Sequence, residues 1–205
     1  PVIPEARIQE MRMNYSTSSW NFIKSVNDMT VASCMIVDIA PDEKTILARM
    51  KPKTRYNIGL AARKGVHTFL AGKDHLPAFY ELYLQTAGRN KFLVCDYEHF
   101  HALFSVIEEN NQDAEVLFLL SCHNTDLLAG VIMAISEKTA LFLFGASSNC
   151  KRNYMGSYAV HWEAIRHARS RGCVEYDMGG VSPGAEPEHP FYGLYSFKSG
   201  FGGQM

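Results

Sequence analysis

FLFGASSNCKRNYMGSYAVHW, residues 142–162, decides how this chain folds. Its first residues are apolar and aromatic, as in a strand. Its middle is rich in Ser, Asn and Gly. From Ser157 it becomes helical, with Tyr158, Trp162 and Ile165 at helical spacing and Gly172 as a C-terminal stop. Two further apolar runs precede it, AEVLFLLSC at 114–122 and LLAGVIMAIS at 127–136, and TALFLFGAS at 139–147 completes the set. Asn124–Asp126 and Glu137–Lys138 break these runs with turn-type residues, so the spacing predicts three adjacent antiparallel strands buried on both faces.

Working outward, CMIVDI (34–39) and VHTFLA (66–71) read as short strands, and CVEYDMGG (173–180) as a later one. APDEKTILARM (40–50) carries Pro, Asp and Glu where a helix would begin. After Pro52, KTRYNIGLAARKG reads as a second helix stopped by Gly65. HLPAFYELYLQTAGR (75–89) presents Phe79, Leu82 and Tyr83 on one face, and YEHFHALFSVIEENNQ (97–112) presents Phe100, Leu103, Phe104 and Ile107. The fold class is therefore α/β (α+β): a central, mostly antiparallel sheet flanked by helices.

At 205 residues, 47% hydrophobic and 20% charged, the chain can bury a substantial core. A net charge of −1 gives no global signal for nucleic acid. Any RNA contact must then come from a local patch. The five scattered cysteines contain no C-x-x-C pair and read as small buried hydrophobes in a reducing cytoplasm. The eight histidines show no metal-binding spacing, so no metal site is expected. No run approaches the roughly 18 apolar residues of a membrane span. Residues 1–33 resist assignment, and both PVIPEARIQEM and FGGQM read as places where a longer polypeptide was cut.

Several positions carry candidate chemistry. The loop Arg152–Ser157 lies where an acetyl-CoA-dependent acetyltransferase keeps R-x-x-G-x-G/A, whose backbone N–H groups cradle a pyrophosphate. Here one glycine is missing, and Tyr154 and Met155 would crowd the backbone. The alternative is a plain helix start. Lys51, Lys53, Arg55, Arg63 and Lys64 form either a solvated helix face or a strip for phosphates. Arg89 in TAGRNKF either complements a helix dipole or offers a guanidinium fork to a phosphate. Asp177 reads as a turn-capping carboxylate more readily than as a general base. Lys198 in GLYSFKSGFGG, residues 193–203, is either an exposed tail residue or a cation fixed by Tyr195 and Phe197 to face a ligand.

KTRYNIGLAARKGV, TAGRNKF, FGASSNCKRNYMGSYAVHWEAIRHARSRG, YDMGGV and YGLYSFKSGFGG together resemble, in order and rough spacing, the FemABX family of aminoacyl-tRNA-dependent peptidyltransferases of peptidoglycan synthesis. The resemblance implies a GNAT-like acyltransferase fold over residues 34–205, as the second of two such domains, with residues 1–33 a remnant of the first. It implies an aminoacyltransferase of cell wall biogenesis, cytoplasmic, with aminoacyl-tRNA as co-substrate and no other cofactor. Its acceptor is the stem-peptide amine of a peptidoglycan precursor, nucleotide- or lipid-linked. Lys198, with Phe197, matches the pair at the family's reaction centre. Arg89, joined by Tyr192 and Tyr195, is the expected precursor site. Lys51, Lys53, Arg55 and Arg152 are the expected tRNA- or phosphate-binding cations. Two alternatives stand beside this one: an acyl-CoA N-acyltransferase, and a non-catalytic half that binds precursor or tRNA beside a partner domain.

Overall fold

A computed structural model describes residues 33–109, 115–182, 187–189 and 191–205. The expectations for residues 1–32, and for the Ile107 side chain, lie outside it. Strand β1 (Ser33–Asp38) leads through α1 (Glu43–Arg49) and α2 (Pro52–Arg63) to β2 (His67–Leu70). Next come α3 (Leu76–Asn90) and α4 (Tyr97–Glu109), then the meander β3 (Glu115–His123), β4 (Asp126–Ser136) and β5 (Thr139–Ser147). Helix α5 (Gly156–Ser170), strand β6 (Glu175–Val181) and helix α6 (Tyr192–Lys198) complete the order.

Local chemistry sets these boundaries. Asp42 caps α1, its carboxylate accepting from the backbone N–H of Thr45 at 3.0 Å. Pro52 occupies the first turn of α2, where its missing N–H costs nothing. Gly65 and Gly172 follow α2 and α5 at φ 75° and 83°, the left-handed region that favours glycine. The meander turns on Asn124 and Glu137, also left-handed at φ 55° and 53°.

The strands form one sheet in the order β1-β6-β5-β4-β3-β2. Every neighbouring pair is antiparallel except β5 and β6. Leu117, Leu119, Val131 and Met133 face one core with α1 and α5; Phe118, Leu120 and Ile132 face another with α3 and α4. The meander is thus buried on both faces, as its continuous apolar runs predict. Fully burying a side chain such as Phe79, Phe100 or Phe118 stabilises the fold by about 1.5–3 kcal/mol. Among the described residues, no helix is long and apolar enough to cross a membrane.

One irregularity shapes the site. β5 and β6 pair over only three rungs, ending at Leu141 opposite Asp177. Immediately afterwards the β4–β5 register shifts: Met133 pairs with Phe142 and Ile132 with Phe144, leaving Leu143 as an extra residue. Such a bulge bends its strand. The two parallel strands therefore part company and leave a fork in the sheet. A mixed, mostly antiparallel sheet between helical layers is the architecture that the sequence predicts, and it agrees with the GNAT-like fold that the family resemblance implies.

Candidate active site at the strand fork

Lys198 ends α6 and is only 3% exposed. The reading of GLYSFKSGFGG as a loose, solvated tail is therefore overturned. The segment is a helix followed by a 3-10 turn, Ser199–Phe201. Its glycines serve close approaches. A Cβ on Gly200 would collide with Thr54 Oγ1, and one on Gly203 would stand 2.8 Å from the Ile36 carbonyl oxygen. Backbone bonds complete the attachment: Lys51 N donates to Gly200 O at 2.9 Å, and Gln204 and Ile36 exchange two bonds of 2.8 Å.

The Lys198 ammonium lies at the fork. It donates to the Gly180 carbonyl oxygen at 2.8 Å and stands 5.4 Å from the centre of the Phe142 ring. A Cβ on Gly179 would come within 3.7 Å of the same nitrogen. Asp177 lies on the last paired rung, and its Oδ1 accepts the Gly179 N–H at 2.7 Å. Burial lowers the Lys198 pKa to about 8, opposed in part by Cys34 and Asp177. Burial likewise raises the Cys34 thiol, Asp177 adding to the shift and Lys198 opposing it.

Phe197 does not face the fork. Its ring makes edge-on contacts with Tyr158, His161 and Phe201 at centroid distances of 5.1, 5.4 and 5.3 Å, anchoring α6 in the core. His161 Nδ1 lies 3.0 Å from the Tyr176 hydroxyl. Burial, with Lys198 adding to it, drives the His161 pKa down to about 3. Burial pushes the Tyr176 phenol above its usual range. Both groups are neutral, so neither sets a charge beside Lys198.

The remaining predicted residues divide into separate places. Half-buried Tyr192 and Tyr195 lie on α6 with their rings 6.4 Å apart. Arg89, near the end of α3, donates to the Ser147 carbonyl at 3.1 Å, to Ser147 Oγ at 2.8 Å and to Asn149 Oδ1. It thereby ties α3 to the end of β5. Burial, then the charge of Arg152, holds its guanidinium below the usual range. Arg152 is exposed, in the loop before α5. Arg55 caps the end of α1 through the Met50 carbonyl, Lys51 donates to Ser199 Oγ at 2.9 Å, and Lys53 is exposed. The basic run is therefore not one strip: Lys51 bonds to Ser199 beside Lys198, and Arg55 to a helix end.

The junction loop has two left-handed residues, Lys151 and Met155, around a short 3-10 turn, and Gly156 presses on Leu128. Tyr154 is clamped by Lys64 and by the His123 ring at 4.7 and 4.6 Å. Among the described residues, no group of three or more His, Cys, Asp or Glu side chains could hold a metal ion.

Sequence reasoning missed Phe142, His161, Tyr176 and the Gly180 carbonyl as parts of this site. One signal was available: His161 follows Tyr158 by three residues, on the apolar face of its helix.

Comparison with known proteins agrees with this fold. A lipid II:glycine glycyltransferase of Staphylococcus saprophyticus subsp. saprophyticus is 32% identical over 89 residues, 43% of this chain and 21% of that protein. The Staphylococcus aureus lipid II:glycine glycyltransferase is 22% identical over 233 residues, covering 82% of this chain and 55% of its own length. The chain thus spans about half the length of the curated relatives it matches most extensively. Among solved structures, FemX superposes with a TM-score of 0.81 at 17% identity, over 100% of this chain and 68% of its own. L-PGS from Bacillus licheniformis superposes at 0.56 and 13% identity, over 86% and 58%. Residues 29–124 and 108–205 match the FemAB family, and the chain belongs to it.

Proposed function

We propose that the protein containing this chain transfers an amino acid from aminoacyl-tRNA to the stem-peptide amine of a peptidoglycan precursor. One observation carries the reading: an ammonium buried to 3% exposure at the fork of two parallel strands, held by the Gly180 carbonyl. The lipid II:glycine glycyltransferases named above support a peptidoglycan acceptor.

The chemistry follows from that cation. The acceptor amine attacks the carbonyl carbon of the aminoacyl ester, and a C–N bond forms. The tetrahedral oxyanion that results is met by Lys198. The C–O bond to the ribose then breaks, and the amine proton leaves with the ribose oxygen. Ester-to-amide exchange runs downhill, so neither ATP nor a metal is required. A fixed donor aimed at the oxyanion typically contributes about 3–4 kcal/mol to the transition state. Phe197 works as a positioning residue, keeping α6 and hence Lys198 in place. Tyr192, Tyr195 and Arg89 face the precursor in this reading, and Lys51, Lys53 and Arg152 the phosphates of tRNA or precursor. An aminoacyl-tRNA donor places the reaction in the cytoplasm.

The test is transfer of radiolabelled amino acids from charged tRNA to purified nucleotide- and lipid-linked precursors by the full-length protein. Transfer to either precursor supports the reading. Transfer only from acetyl-CoA overturns it, as does binding of precursor or tRNA without turnover.

A further inference from the structure

We propose that Asp177 receives the α-ammonium group of the aminoacyl donor, and so makes the fork select aminoacyl over uncharged acyl esters. The inference rests on the aminoacyltransferase reading above and adds the residue that recognises the donor's charge.

Four observations place Asp177 for this. It occupies the last rung before β5 and β6 separate, so its side chain stands at the mouth of the fork. Its Oδ1 is fixed by the backbone N–H of Gly179 at 2.7 Å, while Lys198 is fixed by the carbonyl of the next residue, Gly180, at 2.8 Å. The two charges are thus held by the backbone of neighbouring residues, and no ion pair joins them. Asp177 is also the one carboxylate among the described residues whose charge acts appreciably on Lys198. Finally, its cross-strand neighbours Ile36 and Leu141 are 40% and 39% exposed, so among the described residues this row of the sheet is open to a ligand.

The chemistry of the donor supplies the need. An aminoacyl ester carries a positive charge on the carbon next to its carbonyl. A site that sets the Lys198 ammonium against the carbonyl oxygen would repel that group unless a counter-charge stood nearby. Asp177 Oδ2 accepts no hydrogen bond from any described residue and is available to the incoming ammonium. An acetyl group, with no such charge, would gain nothing from it.

The test uses the full-length protein, bulk tRNA charged with a mixture of radiolabelled amino acids, and the same pool deaminated by nitrous acid to α-hydroxyacyl esters. Wild-type protein should prefer the aminoacyl pool by roughly 10- to 100-fold in initial rate, the range of one charge-assisted hydrogen bond. Asp177→Asn keeps an acceptor for the Gly179 N–H and removes only the charge. It should bring the preference close to one. Equal use of both pools by wild-type protein overturns the proposal. So does an unchanged preference in Asp177→Asn, or an equal fall with both pools, which marks a structural or general-base role. Transfer from neither pool by wild-type protein fails the aminoacyltransferase reading itself, and this proposal falls with it.

Discussion

His161 Nδ1 and the Tyr176 hydroxyl lie 3.0 Å apart in a compartment closed to water beside Lys198. Both are neutral and share one hydrogen bond, whose donor is set by the imidazole tautomer. Burial sets this state, and it links stability to pH. The folded His161 pKa, about 3, lies below the usual histidine value. Unfolded chain therefore binds a proton here that folded chain refuses, and stability falls as pH drops through the unfolded value near 6.5. His167, lowered by partial burial and by Arg171, adds with the same sign. Wild-type protein should lose more stability between pH 7 and pH 5 than His161→Gln by about 2 kcal/mol. Urea midpoints at the two pH values measure it. Equal losses would mean that His161 is hydrated or charged in the folded state.

Lys198→Met should separate function from stability. The buried ammonium costs desolvation, which methionine avoids, while the Gly180 carbonyl loses its donor, a loss of about 1–3 kcal/mol. The two changes oppose each other, so the thermal midpoint should hold or rise. Initial transfer rate should fall by roughly 100-fold or more, with precursor affinity kept, because the charge acts mainly in the transition state. Near-normal turnover would leave Lys198 a packing residue.

Much of this fold was legible because its signals are local. The turns at Asn124 and Glu137, the stops at Gly65 and Gly172 and the double-sided apolar runs of the meander all act within a few residues. The fork was not legible. It depends on β6 inserting between β1 and β5 and on the extra residue at Leu143, both set by distant partners. The family resemblance brought Lys198 forward, but not its surroundings. A seven-residue helix with Gly193 inside it gives little helical signal, and burial of its lysine depends on Phe142, 56 positions away.

The two arginines should behave differently. Arg89 is built into the fold through Ser147 and Asn149, so Arg89→Lys loses its planar fork and should cost about 1–2 kcal/mol of stability. Arg152 is exposed and its side chain donates to no described residue. Arg152→Gln should change stability by no more than about 0.5 kcal/mol. It should still weaken binding of tRNA or precursor, with a smaller loss at high salt. Calorimetry at two ionic strengths reads this directly, and unchanged affinity would remove Arg152 from the phosphate site.

The pH profile of transfer should carry the signature of a buried lysine. In the proposed reaction Lys198 serves as a cation, and its pKa is lowered by burial to about 8. The productive ammonium is present below that value and lost above it, so kcat/KM should decline as pH rises through about 8. An ordinary surface lysine would stay charged to about pH 10.4 and give no such limb. The acceptor amine must lose its proton to attack, which gives an opposing rise on the acid side and a bell-shaped profile. Lys198→Arg supplies the control. A guanidinium stays charged throughout, so any activity that survives should show no decline near pH 8. The larger planar group does not sit where the ammonium sits, and the rate itself should remain low. An alkaline limb that persists in Lys198→Arg would belong to another group and would remove Lys198 as its source.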